Sequence, residues 1–167
     1  LEQMAELEPL MPDSRITAAV SSQTCDAASA MLIVSEAALK RYNLTPRARI
    51  AHMSVRGADP IWMLTAPIPA TEHAMKKSGM SLDDIDLVEI NEAFASQATY
   101  CVKKLGLDTD KVNPNGGAIA LGHPLGCTGA RQICTLLPEL RRQNKKYGMV
   151  SMCIGTGMGA AAVFEME

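Results

Sequence analysis

Gly148-Met149-Val150-Ser151-Met152-Cys153-Ile154-Gly155-Thr156-Gly157-Met158-Gly159-Ala160-Ala161-Ala162-Val163-Phe164-Glu165 decides the fold. Two apolar runs, Gly148 to Ile154 and Ala160 to Glu165, flank the glycine-rich link Gly155 to Gly159, the pattern of an antiparallel pair that closes a sheet. Working outward, strand and helix signals alternate. Leu87 to Ile90 is a short apolar strand, Phe94 to Leu105 a helix stopped by Gly106, and Thr128 to Gln143 a helix that Pro138 should kink or shorten. Further upstream, Arg47 to Val55 reads as a strand and Pro60 to Pro69 as an irregular connection. Thr71 offers the cap of a helix ending at Gly79, and Ser81 to Asp86 is a helical turn. This alternation argues an α/β domain with a mixed sheet.

The first quarter of the chain is read less directly. Leu1 to Leu10 forms a short amphipathic helix ended by Pro9 and Pro12, and Arg15 to Val20 alternates as a strand. Asp26 can cap a helix over Ala27 to Arg41, which is apolar nearly all round and so is expected as a central core helix buried between layers. Residues 1–25 are then a connecting segment with the first strand, ahead of one domain filling the 167 residues. The chain opens on Leu1 rather than methionine, from which we expect a preceding segment.

With 47% hydrophobic and 20% charged residues and a net charge of −2, the composition is that of a globular protein, without the basic field that nucleic acid or an anionic membrane surface requires. No run reaches the roughly 18 apolar residues of a membrane span, so none is expected. The five cysteines, Cys25, Cys101, Cys127, Cys134 and Cys153, form no Cys-x-x-Cys pair, which argues against a zinc site or a disulfide framework and for a reducing, cytoplasmic setting. No metal is expected.

Chemistry concentrates in three segments. Asn113 to Gly129 holds Gly116, Gly117, Gly122, Gly126 and Gly129 around His123, a backbone free to approach a ligand closely. Among small and apolar neighbours the imidazole of His123 is expected to be desolvated, with its pKa lowered; the alternative is a histidine that merely caps the following helix. Cys153 ends an apolar strand before Gly155, which makes it either a reactive thiol or a buried small hydrophobe. Asn91 and Glu92 follow the strand Leu87 to Ile90, where the amide can reach into a site or cap the next helix. Glu92 can hydrogen-bond an imidazole or carry that helix N-terminus. His52 and His73, in a strand and a helix, are read as structural.

Asn91-Glu92-Ala93-Phe94, Gly122-His123-Pro124 and Cys153-Ile154-Gly155-Thr156-Gly157 closely resemble, in that order, the C-terminal half of thiolases, most nearly the 3-ketoacyl-CoA thiolases. The resemblance implies the thiolase half-fold, a mixed five-stranded sheet with helices on both faces. It also implies an acyltransferase that cleaves 3-ketoacyl-CoA with coenzyme A, or condenses two acyl-CoAs, through an acyl-cysteine. On this resemblance His123 activates the nucleophile and binds the thioester oxygen, Cys153 exchanges the α-proton, Asn91 holds a water in one oxyanion hole, and the Gly155 N–H serves a second. Glu92 belongs to the same set, while Ser22 and Phe94 match positions that contact the coenzyme.

Around Ser22 the pattern departs from many members, since Ala19, Val20 and Ala27 stand where glycine or asparagine is common. The resemblance further implies coenzyme A as substrate with no permanently bound cofactor, a homo-oligomer, and a cytoplasmic, peroxisomal or mitochondrial setting. None of the five cysteines lies in a segment resembling the thiolase nucleophile. An N-terminal half, or a partner subunit, must supply it, and the chain alone is expected to be inactive. A ketoacyl synthase is the rival enzyme, but those relatives usually carry a histidine where this chain has Asn91-Glu92. A non-catalytic domain binding acyl-CoA or a partner is the other alternative.

Overall fold

A computed structural model describes residues 2–167. The two runs around the glycine link form β3 (Tyr147–Cys153) and β4 (Met158–Met166), paired antiparallel with Cys153 opposite Gly159. β1 (Ala48–Gly57) joins β4 antiparallel on one side, and β2 (Leu87–Ile90) joins β3 in parallel on the other, giving the order β1-β4-β3-β2. The sheet is mixed, as the alternation predicts. Among the described residues it has four strands rather than five.

Because side chains alternate across a strand, each face acquires its own core. Val88, Ile90, Met149 and Val163 meet α3 (Pro67–Ser78) and α4 (Ala95–Leu105) through Ala70, Ala74, Met75 and Ala98. Leu87, Val150 and Phe164 meet α6 (Thr128–Arg142) on the opposite face through Leu136 and Leu140. Helices therefore cover both faces. α3 starts at Pro67, where a missing N–H costs nothing, and stops at Gly79 with φ 72°; α4 stops at Gly106 with φ 66°. Thr71 is not the cap expected of it: it lies inside α3, fully buried, with its hydroxyl against Ser151 at 3.0 Å. α6 runs through Pro138 without a break. Pro138 and Cys134, whose carbonyl loses its helical partner there, both lie on exposed positions, so water can replace the lost bond.

The largest departure is upstream. Arg15 to Val20 is not a strand; it holds a 3-10 turn at Ala18–Val20 after an isolated bridge between Pro9 and Thr17. Ala27 to Arg41 is not a buried core helix. Residues 22–35 run without regular structure, and the helix is α2 (Glu36–Tyr42), capped by the Ser35 hydroxyl instead of Asp26 and closed by Asn43 at φ 49°. Leu32 and Ile33 are 79% and 70% exposed. A continuous apolar run fits a buried strand as well as a buried helix, and the β-branched pair Ile33-Val34 favours the extended form. Without a second layer over it, a short helix here has nothing to repay its nucleation. At the start, α1 (Glu2–Ala5) is shorter than Leu1 to Leu10, and Leu1 lies outside the described residues.

Candidate active site

The parallel pair sets the site. β2 and β3 end side by side, and in sheets of this kind ligands sit outside the carboxyl ends of the strands. Asn91 follows β2 directly, donating its N–H to the Ser151 carbonyl at 3.0 Å, while Cys153 is the last residue of β3. Asn91 is fully buried. Its Nδ2 lies 3.5 Å from His123 Nε2, and the same amide favours the Cys153 thiolate, a smaller effect than burial, so one side chain acts on both other groups. Asn91 Oδ1 has no partner among the described residues and is available to accept from a ligand or a water.

His123 is held from four directions. Gly122 before it has φ 97°, and a Cβ there would meet the Cys25 sulfur at 2.5 Å, so only glycine fits this approach. The His123 N–H donates to the Gln23 carbonyl at 2.7 Å. Its Nδ1 lies 2.6 Å from the Thr128 hydroxyl, which itself donates to the Pro124 carbonyl at 3.0 Å. Because that hydroxyl proton is already committed, Nδ1 must be the donor, which leaves the Nε2 lone pair facing Asn91. Burial, and then the nearby Arg131 charge, hold the imidazole below its usual 6.5. The result is a neutral base.

Cys153 is buried, and burial pushes its thiol above the ordinary value, so it carries its proton at neutral pH. The turn behind it needs left-handed backbone at Gly155, Thr156 and Gly157. A buried thiol that keeps its proton is a poor nucleophile and a suitable proton donor.

Glu92 does neither thing expected of it. Its carboxylate touches no imidazole and does not cap α4. Instead it accepts from Asn113 Nδ2 at 2.8 Å and from the Ile119 N–H at 3.1 Å, at the first turn of α5 (Ala118–Leu121). A Cβ on Gly117 would overlap this carboxylate. Glu92 thus ties the glycine-rich loop to the end of β2. Asn113, missed in the sequence reading, completes the tie: its side chain copies a peptide group, accepting from the Ile90 N–H at 2.8 Å and donating to the Ile90 carbonyl at 2.9 Å. The signal was Asn-Pro-Asn-Gly, since asparagine tolerates the φ of 48° found at Asn113. Thr128 was likewise read only as a helix start, although a hydroxyl in the first turn after His123 is its hydrogen-bond partner.

Ser22 sits on the rim. Its N–H and hydroxyl both donate to the Ala93 carbonyl, at 3.1 and 3.2 Å, and Ser21 bridges Phe94. Phe94 precedes the first turn of α4 without a side-chain capping bond. His52 and His73 pair elsewhere, on β1 and α3, with ring centroids 6.3 Å apart. An open cavity of about 450 Å³ lies beside the His123 loop, between Cys25 to Ser29 and Pro124 to Cys127. Among the described residues no cluster of His, Cys, Asp or Glu has the arrangement of a metal site.

Known proteins share the sequence and the fold of this chain. The sequence profile of the family described as "Thiolase, C-terminal domain" matches residues 44–166. A steroid 3-ketoacyl-CoA thiolase of Mycobacterium tuberculosis is 54% identical over 99% of this chain and 40% of its own length. A peroxisomal 3-ketoacyl-CoA thiolase B of Rattus norvegicus is 53% identical over 99% of this chain and 39% of its own. A crystal structure of human mitochondrial 3-ketoacyl-CoA thiolase in complex with CoA superposes with a TM-score of 0.97 at 48% identity, over 99% of this chain and 42% of that one. The chain therefore spans about two fifths of the length of the relatives it matches.

Proposed function

The chain belongs to the thiolase family, matching its C-terminal domain, and from that premise we propose that it supplies the acid–base and oxyanion-binding half of an acyl-CoA acyltransferase. The single observation that carries this reading is the Asn91 amide standing between the His123 Nε2 lone pair and the Cys153 thiol at the carboxyl ends of two parallel strands. In the cleavage of a 3-ketoacyl-CoA, a cysteine outside this chain attacks the keto carbon. His123 takes the proton of that thiol on Nε2 and, once protonated, donates to the thioester oxygen. Cys153 returns a proton to the α-carbon of the departing acetyl-CoA enolate, a step that suits a thiol kept neutral by burial. Asn91, with a water on its free Oδ1, and the Gly155 N–H stabilise the negative charge that develops.

Ser22 and Phe94 are assigned to the coenzyme on the rim. With its proton committed to Ala93, the Ser22 hydroxyl meets a ligand as an acceptor. Glu92 acts at one remove, by fixing the loop that carries His123. The partner is an N-terminal thiolase half, on the same polypeptide or on another subunit. Its place is supported by the exposed apolar side chains that no layer of this chain covers: Leu32 and Ile33 in the extended segment, and Met53 and Val55 on β1. Among the described residues no helix is long and apolar enough to cross a membrane.

Complementation tests the proposal. The chain alone is expected to produce no acetyl-CoA from acetoacetyl-CoA and coenzyme A, and the chain joined to an N-terminal thiolase half is expected to turn over. Thiolysis by the 167 residues alone at an ordinary enzymatic rate, or a folded but inactive joined protein, would contradict it.

A further inference from the structure

We propose that His52, Ser54 and His73 form a pH-sensitive latch that holds β1 against α3 while the imidazoles are neutral and loosens as they take up protons. The latch stands apart from the acyltransferase reading and draws only its bearing on the site from it. Alternation along β1 turns His52, Ser54 and Arg56 to one face and leaves Met53 and Val55, 65% and 59% exposed, on the other. His73 on α3 meets the first of these faces. Its Nδ1 lies 3.1 Å from the Ser54 hydroxyl, and its ring centroid lies 6.3 Å from that of His52.

Because either partner of the Ser54–His73 hydrogen bond can donate, that bond survives protonation of the ring. Charge, not the loss of a bond, opens the latch. On β1, Arg56 lies two residues beyond Ser54 on the same face, and on α3 Lys76 and Lys77 follow His73 at the i+3 and i+4 spacings that share a helix surface. Glu72, next to His73 in sequence, is exposed and turned about 100° round the helix. β4 sets Val163 opposite His52, Ala161 opposite Ser54 and Gly159 opposite Arg56, none of which titrates. Ser54 is buried, and His52 Nε2 is shut from solvent with no partner among the described residues, so water does little to screen one ring from the other. A proton on His73 therefore faces basic groups and a second imidazole without a carboxylate to offset them.

Burial, and then Arg56, Lys77, His52 and Lys76, hold His73 below its usual 6.5. In the unfolded chain the ring regains that ordinary value, so over the interval between the two values the unfolded state binds the extra proton. The contribution of the latch is complete above pH 6.5 and is lost as the pH falls below it. β1 is the element that responds, because it is an edge strand whose outer face no described residue covers. It leads into Ala58, whose N–H donates to the Gly157 carbonyl at 2.6 Å, so a loosened β1 slackens the turn that carries Gly155.

The test is amide hydrogen exchange of the full chain under native conditions, read as protection factors from about pH 7.5 down to about 5.5. The parent is expected to lose protection along β1 and the facing turns of α3, beyond any loss in β2, which serves as the reference because titration of His123 acts on its end of the sheet. His73→Gln, neutral throughout and able to hydrogen-bond Ser54, is expected to keep its β1 protection relative to β2 across the range. Should that variant fail to fold, His52→Gln removes the other ring and is expected to show a smaller loss than the parent. Equal acid loss along β1 in the parent and in the folded variant overturns the proposal. No turnover is read, so the outcome is independent of whether the chain proves to be part of an acyltransferase.

Discussion

Replacing His123 by alanine in the joined enzyme is expected to lower the rate of 3-ketoacyl-CoA cleavage by about a thousandfold, the combined effect of losing a general base and an oxyanion donor. The structure explains why nothing nearby can substitute. The Thr128 hydroxyl is committed to Pro124, Asn91 carries no proton-accepting nitrogen, and Cys153 holds its proton. The same replacement at His73, which faces Ser54 at 3.1 Å between α3 and β1, is expected to leave the rate unchanged. The pH profile carries the sign of the His123 shift. Its pKa lies below 6.5, so the neutral base persists as the pH falls to that lower value, and the acidic limb of kcat/KM belongs under pH 6.5. Steady-state rates across pH check both statements, and an acidic limb lying above 6.5 would remove His123 as the base.

Gly159→Ala is expected to destabilise the fold by about 3 kcal/mol, at the upper end of overpacking costs, and so to lower Tm by about 10 °C. A Cβ at Gly159 would fall on the Ala66 carbonyl and lie 2.7 Å from the Pro67 nitrogen, the backbone that opens α3. Backbone cannot rotate aside as a side chain can, and Pro67 holds that turn rigidly. Either β4 or α3 must move. Since Gly159 pairs with Cys153, the displacement also reaches the site. Gly126→Ala serves as the control, because nothing lies within 4 Å of the added carbon and its φ lies outside the left-handed range. Thermal unfolding of both variants checks the contrast, and equal Tm values for the two would refute the packing argument.

How much of this was readable in the chain varies along its length, for physical reasons. β2, β3 and β4 were legible because their apolar runs are bounded by glycine or a polar motif, and α3 and α4 because glycine marks their ends. Arg47 to Val55 was legible as β1 despite its exposed Met53 and Val55. The extended segment at Ala27 to Val34 was not, because its apolar run carries no period that separates helix from strand, and no layer of this chain covers it. At the site, glycines on both sides of the relevant turns pointed to His123 and Cys153. Asn113 and Thr128 were missed for different reasons: the partners of Asn113, Ile90 and Glu92, are distant in sequence, and the role of Thr128 depends on how the nearby imidazole is oriented. Glu92 was found, but with the wrong partner. A carboxylate beside a helix start is usually read as a cap, and only the folded loop brings Ile119 to it.

The most direct test of the central claim, that Asn91, His123 and Cys153 act as one site on a thioester enolate, is exchange of the α-protons of acetyl-CoA for solvent deuterium by the joined enzyme. The account predicts steady exchange by the parent protein, and near-complete loss in Cys153→Ser even though the nucleophilic half and His123 remain intact. Exchange persisting at the parental rate in that variant would contradict it.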